Sequence, residues 1–343
     1  SACRGHFVHP ASGTLWKGDG MSRERSFFRL FLFLAVLALL VCIPWVSSDF
    51  SMMMVIRIMY FTMLTLSLTY LSSELNQVSL MQAAFYGISG YFVAILQTRY
   101  GLPFPFPPLI GLAMALVAAS LFGLLTIRAK GIYFLMLTLV LGQLIWALAN
   151  QWASMTNGDT GITNVYAPDL FGFSSEESNT VFYFFQLVFF IIACWLLYAL
   201  KRSPFGLMLK GVRDSESRMV MLGYSALRLR YAAFLFAAFV AALGGIFFTY
   251  FTGLINPHSV SLANNVETLL AAILGGINSL LGAFLGTTIL KTLDIVLSGI
   301  TKRYLLYMGI MFLFIIMFAP QGIVGSVSKS MTSFSRWFGK QRS

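Results

Sequence analysis

Long apolar runs separated by short polar breaks dominate the sequence. About twenty apolar residues are enough to cross the hydrocarbon core of a bilayer, and runs of that order fall at 27–46, 52–71, 78–96, 105–127, 132–150, 181–200 and 231–251. Each predicts a membrane-spanning helix. The run at 27–46 is longer than a signal-peptide core, lacks a small-x-small cleavage site and is followed closely by another apolar run, so it reads as a retained helix. The last third is less regular. Residues 268–297 are too long for one straight span and short for two, and Gly275-Gly276-Ile277-Asn278 offers a turn between two short helices. With a last run at 304–319, the pattern predicts an all-α polytopic membrane protein of about ten helices.

The charges between the runs set an orientation. Residues 131–200 contain no Lys or Arg, whereas 201–230 contain seven. Loops rich in Lys and Arg stay on the cytoplasmic side. The loop 201–230 is therefore expected inside, and the segment 151–180, whose charges are Asp159, Asp169, Glu176 and Glu177, outside. Starting inside at Arg23, Arg25 and Arg29, the first seven helices satisfy both placements. Arg57 and Arg99 fit imperfectly and are expected to snorkel towards an interface. The tail after Pro320 carries Lys329, Arg336, Lys340 and Arg342 with no acid, so it too is expected inside. A turn at 275–278 gives the odd number of further crossings this requires, with both termini cytoplasmic.

Composition narrows the class. The chain is 58% hydrophobic and 10% charged, against about a quarter charged in soluble proteins, so membrane lipid is its expected solvent. The net charge of +11 sits in short inter-helix loops and the tail, which argues against a nucleic-acid partner. Cys42 and Cys194 lie inside apolar runs and Cys3 near the start, giving no disulfide or metal framework. Residues 1–20 have no initiator Met and no periodicity, and Met21-Ser-Arg-Glu-Arg resembles a natural start. Residues 1–20 are therefore read as a non-native or misassigned leader, and 21–343 as one transmembrane domain. His258 is the only histidine beyond the leader, and GxSxG, HExxH and Walker-lysine motifs are absent. The expectation is a chain that is no enzyme, binds no cofactor and hydrolyses no ATP itself.

The basic loop carries the strongest local signal. Phe205, Met208 and Val212 share one helical stripe, and Met219 and Leu222 form a second. Asp214 is placed to cap the second helix, and Gly223 stands where a helix end needs a left-handed residue. The pattern suits an amphipathic loop on the membrane surface or two short helices docking on another protein.

Arg213-Asp214-x-Glu216, with Gly223-Tyr224 after it, resembles the coupling loop of bacterial branched-chain amino acid ABC-transporter permeases of the LivM type. Four further segments resemble that family in the same order. They are Ser79-Leu80-x-x-Ala83-Ala84-Phe85-x-Gly87-Ile88, Thr156-Asn157-Gly158-Asp159-x-Gly161-Ile162, Leu274-Gly275-Gly276-x-x-Ser279-Leu280-x-Gly282 and Pro320-x-Gly322-Ile323-x-Gly325. Gln82 departs from the histidine common in the family, and Arg218-Met219 from its paired alanines. The resemblance implies a permease subunit of an ATP-binding cassette importer in the bacterial inner membrane. Its implied partners are a homologous LivH-type permease, two cytoplasmic ATPases that hydrolyse the ATP, and a periplasmic substrate-binding protein. Gly206, Arg213, Asp214, Glu216 and Gly223 would couple to the ATPases. The implied substrate is a branched-chain amino acid, with urea or short amides as the alternative. A stand-alone secondary transporter would need coupling-ion residues at mid-membrane, where candidates are sparse.

Pathway or binding-protein contacts are expected at Gln82, Asn157, Gly158, Asp159, Gly161 and Glu267. Asn157-Gly158-Asp159 also suits a plain tight turn. Glu267 follows Asn264-Asn265 at a helix start, where a carboxylate is favoured, and Lys291 and Asp294, three apart, are expected to pair. Ala83, Gly87 and Gly90 on one face, and Gly282 with Gly286, suit close helix packing in lipid.

Overall fold

The computed structural model describes residues 49–166, 175–301, 303, 306–310, 313 and 322. The expected helix at 27–46, the leader at 1–20, the C-terminal tail and most of 304–319 lie outside the described residues. The chain divides into two units, Ser1–Ser51 and Met52–Ser343, and the architecture below is that of the second. Its elements are helices α1 (Asp49–Leu75), α2 (Gln82–Thr98), α3 (Phe106–Thr126), α4 (Ile132–Gln151), a single turn α5 (Ala153–Thr156), α6 (Ser175–Arg202), α7 (Pro204–Asp214), α8 (Glu216–Met221), α9 (Ala226–Thr252), α10 (Leu262–Gly275) and α11 (Leu280–Ile300). Six of these, α1, α3, α4, α6, α9 and α11, are long and apolar enough to cross a membrane. The described residues thus hold six such spans, and do not establish about ten.

The core forms where small residues let backbones meet. Any side chain at Gly245 on α9 would strike the Tyr86 carbonyl of α2, and one at Gly90 would strike Thr249. Gly111 of α3 sits so close to the Ser89 carbonyl that a Cβ would stand 2.7 Å from it. The Ser89 hydroxyl donates across the seam to the Ala242 carbonyl at 2.7 Å. The most apolar windows of α1 and α9 are 78% and 72% buried, whereas those of α3 and α4 are 28% buried. The outer helices instead expose Leu109, Leu121, Leu125, Met136, Val140 and Trp195, a surface suited to lipid.

Two expected boundaries move. The apolar run at 78–96 becomes helical only at Gln82, because Asn76 takes a left-handed φ of 54° and ends α1. Residues 77–81 form a non-helical, largely buried connection. Its amides find substitute acceptors, Leu80 N–H donating to Thr138 Oγ1 at 3.2 Å and Ala83 N–H, one residue into α2, to Asn265 Oδ1 at 3.0 Å. Irregular backbone is tolerated in membrane proteins where neighbouring protein satisfies it. The chain does break at Gly276, whose φ is 105°, but into one short helix of 14 residues and one of 21 rather than two short ones. The hairpin is tight: a side chain at Gly275 would overlap the Gly282 carbonyl, and one at Gly286 would overlap the Ala271 carbonyl.

Gly286→Leu is therefore expected to cost at least about 1–3 kcal/mol, the range for overpacking a well-filled site. Gly299→Ala, in open space, serves as the control. Thermal melts of the purified protein in detergent measure both, and equal melting temperatures would count against the hairpin packing.

Candidate functional site

The basic loop is built as a compact helical corner. α6 stops at Arg202 because Ser203 leaves the helical region and Pro204 starts a new helix; the Ser203 hydroxyl accepts from Gly206 N–H at 3.4 Å, satisfying one free amide of the first turn. At Gly206 a Cβ would stand 2.6 Å and 2.5 Å from the Leu200 and Lys201 carbonyls, so the corner closes only with glycine. α7 and α8 fold onto each other, with Gly211 against Met219 Sδ. Val212, Met219 and Ala226 are buried together, with Met208 and Leu229 packed on them, and Phe205 meets Phe236 edge-on. α8 ends as expected at Gly223, φ 86°: Tyr224 N–H donates to Met219 O at 3.0 Å and Gly223 N–H to Val220 O at 2.9 Å, the paired bonds of a Schellman end.

Two expectations fail in the loop. Leu222 is exposed and Leu209 is buried in its stead. Asp214 does not cap α8, because α7 runs one residue further than the capping geometry needs. Ser215 occupies the cap position without a side-chain bond, and Asp214 pairs with Arg213 Nε at 3.2 Å.

Glu216 was expected on the docking face, yet its carboxylate turns inward. It accepts from Arg230 Nη2 at 2.8 Å and pairs with Lys130 in the α3–α4 connection. Burial alone would raise its pKa, but the Lys130 hydrogen bond and the Arg230 charge outweigh burial and hold the carboxyl below its ordinary range. Two more contacts tie the loop to the end of α1. Lys201 Nζ meets the fully buried Glu74 at 2.9 Å, and Arg213 Nη1 donates to the Ser73 carbonyl at 2.8 Å. Ionic contacts thus bind the loop and its flanks to α1, α9 and the α3–α4 connection, while Leu207, Val220, Met221, Leu222 and Tyr224 stay exposed. Sequence reading missed Ser73, Glu74, Lys130 and Arg230. Glu74, an acid near the end of an apolar run, was the one available signal.

At the other end of α4, about 30 Å away along its 20 residues, Asn157, Gly158 and Gly161 take φ of 60°, 60° and 72°. Thr156 Oγ1 donates to the Ala149 carbonyl at 2.7 Å and accepts from Gly158 N–H at 3.2 Å. A side chain at Gly161 would strike the Ile255 carbonyl, and the adjoining Ile162 pairs with Ile255 in a two-bond antiparallel bridge of 2.9 Å and 3.0 Å. Arg99 reaches Asn157 Oδ1 at 3.2 Å and the Ser154 carbonyl at 2.5 Å. This end is thus a pinned turn with Asp159 exposed on it.

The remaining candidates lie between the two ends. Gln82 is fully buried, and among the described residues neither its Oε1 nor its Nε2 has a hydrogen-bond partner. Glu267 pairs with Lys291 at 2.5 Å. Lys291 therefore bonds across the α10–α11 hairpin rather than to Asp294 on its own helix. The structure brings the loop residues together, groups Asn157 to Gly161 at the opposite end, and keeps Gln82 and Glu267 apart from both.

Residues 51–320 match the family described as the permease component of the branched-chain amino acid transport system. The chain is 26% identical over 319 residues to the high-affinity branched-chain amino acid transport system permease protein LivM of Salmonella typhimurium, covering 86% of this chain and 75% of LivM. It is 25% identical over 183 residues to LivH of the same organism, covering 51% and 59% of the two chains. It is 24% identical over 222 residues to the fructose import permease protein FrcC of Rhizobium meliloti, covering 62% and 61%. No solved structure matches the chain.

Glu216 gives a test with a definite sign. A lowered folded-state pKa means that its contribution is complete above the unfolded value of about 4.3 and disappears as pH falls through the lower folded value. Hydrogen exchange of α8, corrected for its intrinsic rate, should stay flat from about pH 8 to 5 and rise below about 4. A double-mutant cycle of Glu216→Gln and Arg230→Met should return a coupling of about 1 kcal/mol, modest because Glu216 is part-exposed. Additive effects would show that the ion pair does not hold the loop.

Proposed function

The chain belongs to the branched-chain amino acid transport system permease family, and on that premise we propose that it is the membrane-spanning subunit of an ATP-binding cassette importer for branched-chain amino acids. In this reading a cytoplasmic ATPase docks on α7 and α8, a LivH-type permease stands beside the chain, and a periplasmic binding protein delivers the solute. The protein then sits in the inner membrane with its basic loop and both termini in the cytoplasm. One observation carries the reading. A loop whose outer face exposes Leu207, Met221 and Leu222 is bonded on its inner face to three separate parts of the helical core. An exposed apolar patch marks an interaction site, and a displacement imposed there reaches α1 and α9 through ionic contacts rather than being lost in a floppy connection. Sparse charge in the loop 151–166 and the positive-inside rule support the orientation. The match to FrcC keeps a neutral polar solute as the second reading.

Met221→Asp places a charge on the proposed docking patch, away from the buried side of the loop. Reconstituted vesicles containing the complete transporter should lose at least about tenfold in ATP-driven leucine uptake, as expected when a central interface side chain is lost. The subunit should still insert, and its ATPase should no longer co-purify. Wild-type uptake by this variant, or purification of the native chain without any ATPase, would overturn the reading. Cysteine at Ser217 should resist an impermeant thiol reagent in intact cells, and cysteine at Thr160 should react; the reverse order would invert the topology.

A further inference from the structure

Helices α1, α10 and α11 gather charges in the middle of the membrane, where isolated charge is costly and marks function. Phe61 lies at the centre of α1 and Lys291 at the centre of α11. The Lys291 ammonium sits 3.8 Å from the Phe61 ring centroid and 2.5 Å from the Glu267 carboxylate of α10. Arg57 lies on the face of α1 that carries Tyr60 and Phe61, since residues three and four apart are helix neighbours. Asp294 lies one turn beyond Lys291 on α11. The set holds two cations and two anions.

Its members differ in access. The Lys291 side chain is 10% exposed, whereas that of Glu267 is 28% exposed and Arg57 is exposed. Buried Lys291 is held from two sides; Asp294 is part-exposed like Glu267, and Glu267 with Arg57 makes one reachable pair of opposite charge. A hydrocarbon surface does not accommodate that pair; a water-filled path does. The short α10 ends at the Gly276 break, and discontinuous helices near mid-membrane are where transporters place their binding sites. A neutral sugar or urea has no use for balanced opposite charges. A zwitterion does, because each of its ends can replace a partner already present.

We propose that Arg57, Tyr60, Glu267, Lys291 and Asp294 form a mid-membrane station for a zwitterionic amino acid, with Glu267 receiving its ammonium and Arg57 its carboxylate. Lys291 releases part of its hold on Glu267 when the solute arrives and stays compensated by the Phe61 ring, since a cation over an aromatic face is stabilised in a desolvated site. The inference rests on the reading of the chain as a pathway-forming permease subunit.

The test uses the complete transporter with its binding protein in vesicles, and radiolabelled L-leucine, fructose and urea as probes. Arg57→Gln removes the exposed cation. The double change Glu267→Gln with Lys291→Met removes both members of the pair, so that no buried charge is left alone. Each variant should lower leucine uptake at least about tenfold, the worth of one charge-assisted hydrogen bond, while the partner subunits still co-purify in wild-type ratio. Wild-type leucine uptake by both variants would overturn the station. Loss of the partner subunits from the variants would also overturn it, and would mark the cluster as a seam between subunits. Uptake of fructose or urea but not leucine by the native complex would overturn the zwitterion assignment and leave the pathway reading intact. A native complex that moves none of the three probes would remove the functional reading and the station with it.

Discussion

A bilayer offers no hydrophobic gain for pressing two apolar helices together, so this protein holds its core by backbone approach. Gly245 against the Tyr86 carbonyl and Gly111 against the Ser89 carbonyl draw α9, α2 and α3 to distances at which polar groups can bond across the seam, as the Ser89 hydroxyl does with Ala242. The aromatic residues fill the rest. Tyr60 and Tyr86 both pack on Phe248, which joins α1 and α2 to the same face of α9. The buried position of most of α1 follows from this packing.

The two ends of the core differ in construction. At the 151–166 end the chain is pinned by backbone bonds, left-handed residues and the Ile162–Ile255 bridge, which fix a shape and carry little charge. At the basic end the loop is held by ion pairs from Lys201 and Glu216 and by the Arg213 hydrogen bond to the Ser73 carbonyl. Ionic contacts between long side chains bear a shift of an ångström or so without breaking the backbone ladder. A tightly bonded turn does not. The basic loop and the 151–166 segment therefore use different bonds.

Between these ends, several polar side chains lie close together. Fully buried Gln82 keeps an amide without a partner among the described residues, the neighbouring Ala83 N–H is taken up by Asn265 of α10, and Glu267 two residues further along pairs with Lys291. The start of α2 and the start of α10 thus meet beside the mid-membrane charges. Thr65 and Thr287 add a hydroxyl bond of 3.0 Å between α1 and α11 just beyond them. The helices that carry the charge cluster are cross-linked by polar contacts.

What could be read from the sequence alone was whatever depends on neighbours along the chain. Hydropathy marked α1, α3, α4, α6 and α9 to within about five residues, charge counting isolated the loop 201–230, and local chemistry located the helix end at Gly223 and the break at Gly275-Gly276. Asn76 in its left-handed conformation, which delays α2 to Gln82, carried too weak a local signal against an unbroken apolar run. The partners of the charges could not be read. Lys291 pairs across 24 positions with Glu267 rather than three with Asp294, Lys201 crosses the fold to Glu74, and Glu216 turns inward to Lys130 and Arg230. Hydrophobicity and turn propensity act over a few residues and survive in any fold, whereas an ion pair in a low-dielectric core goes to whichever opposite charge the packing brings within reach. That choice belongs to the tertiary structure.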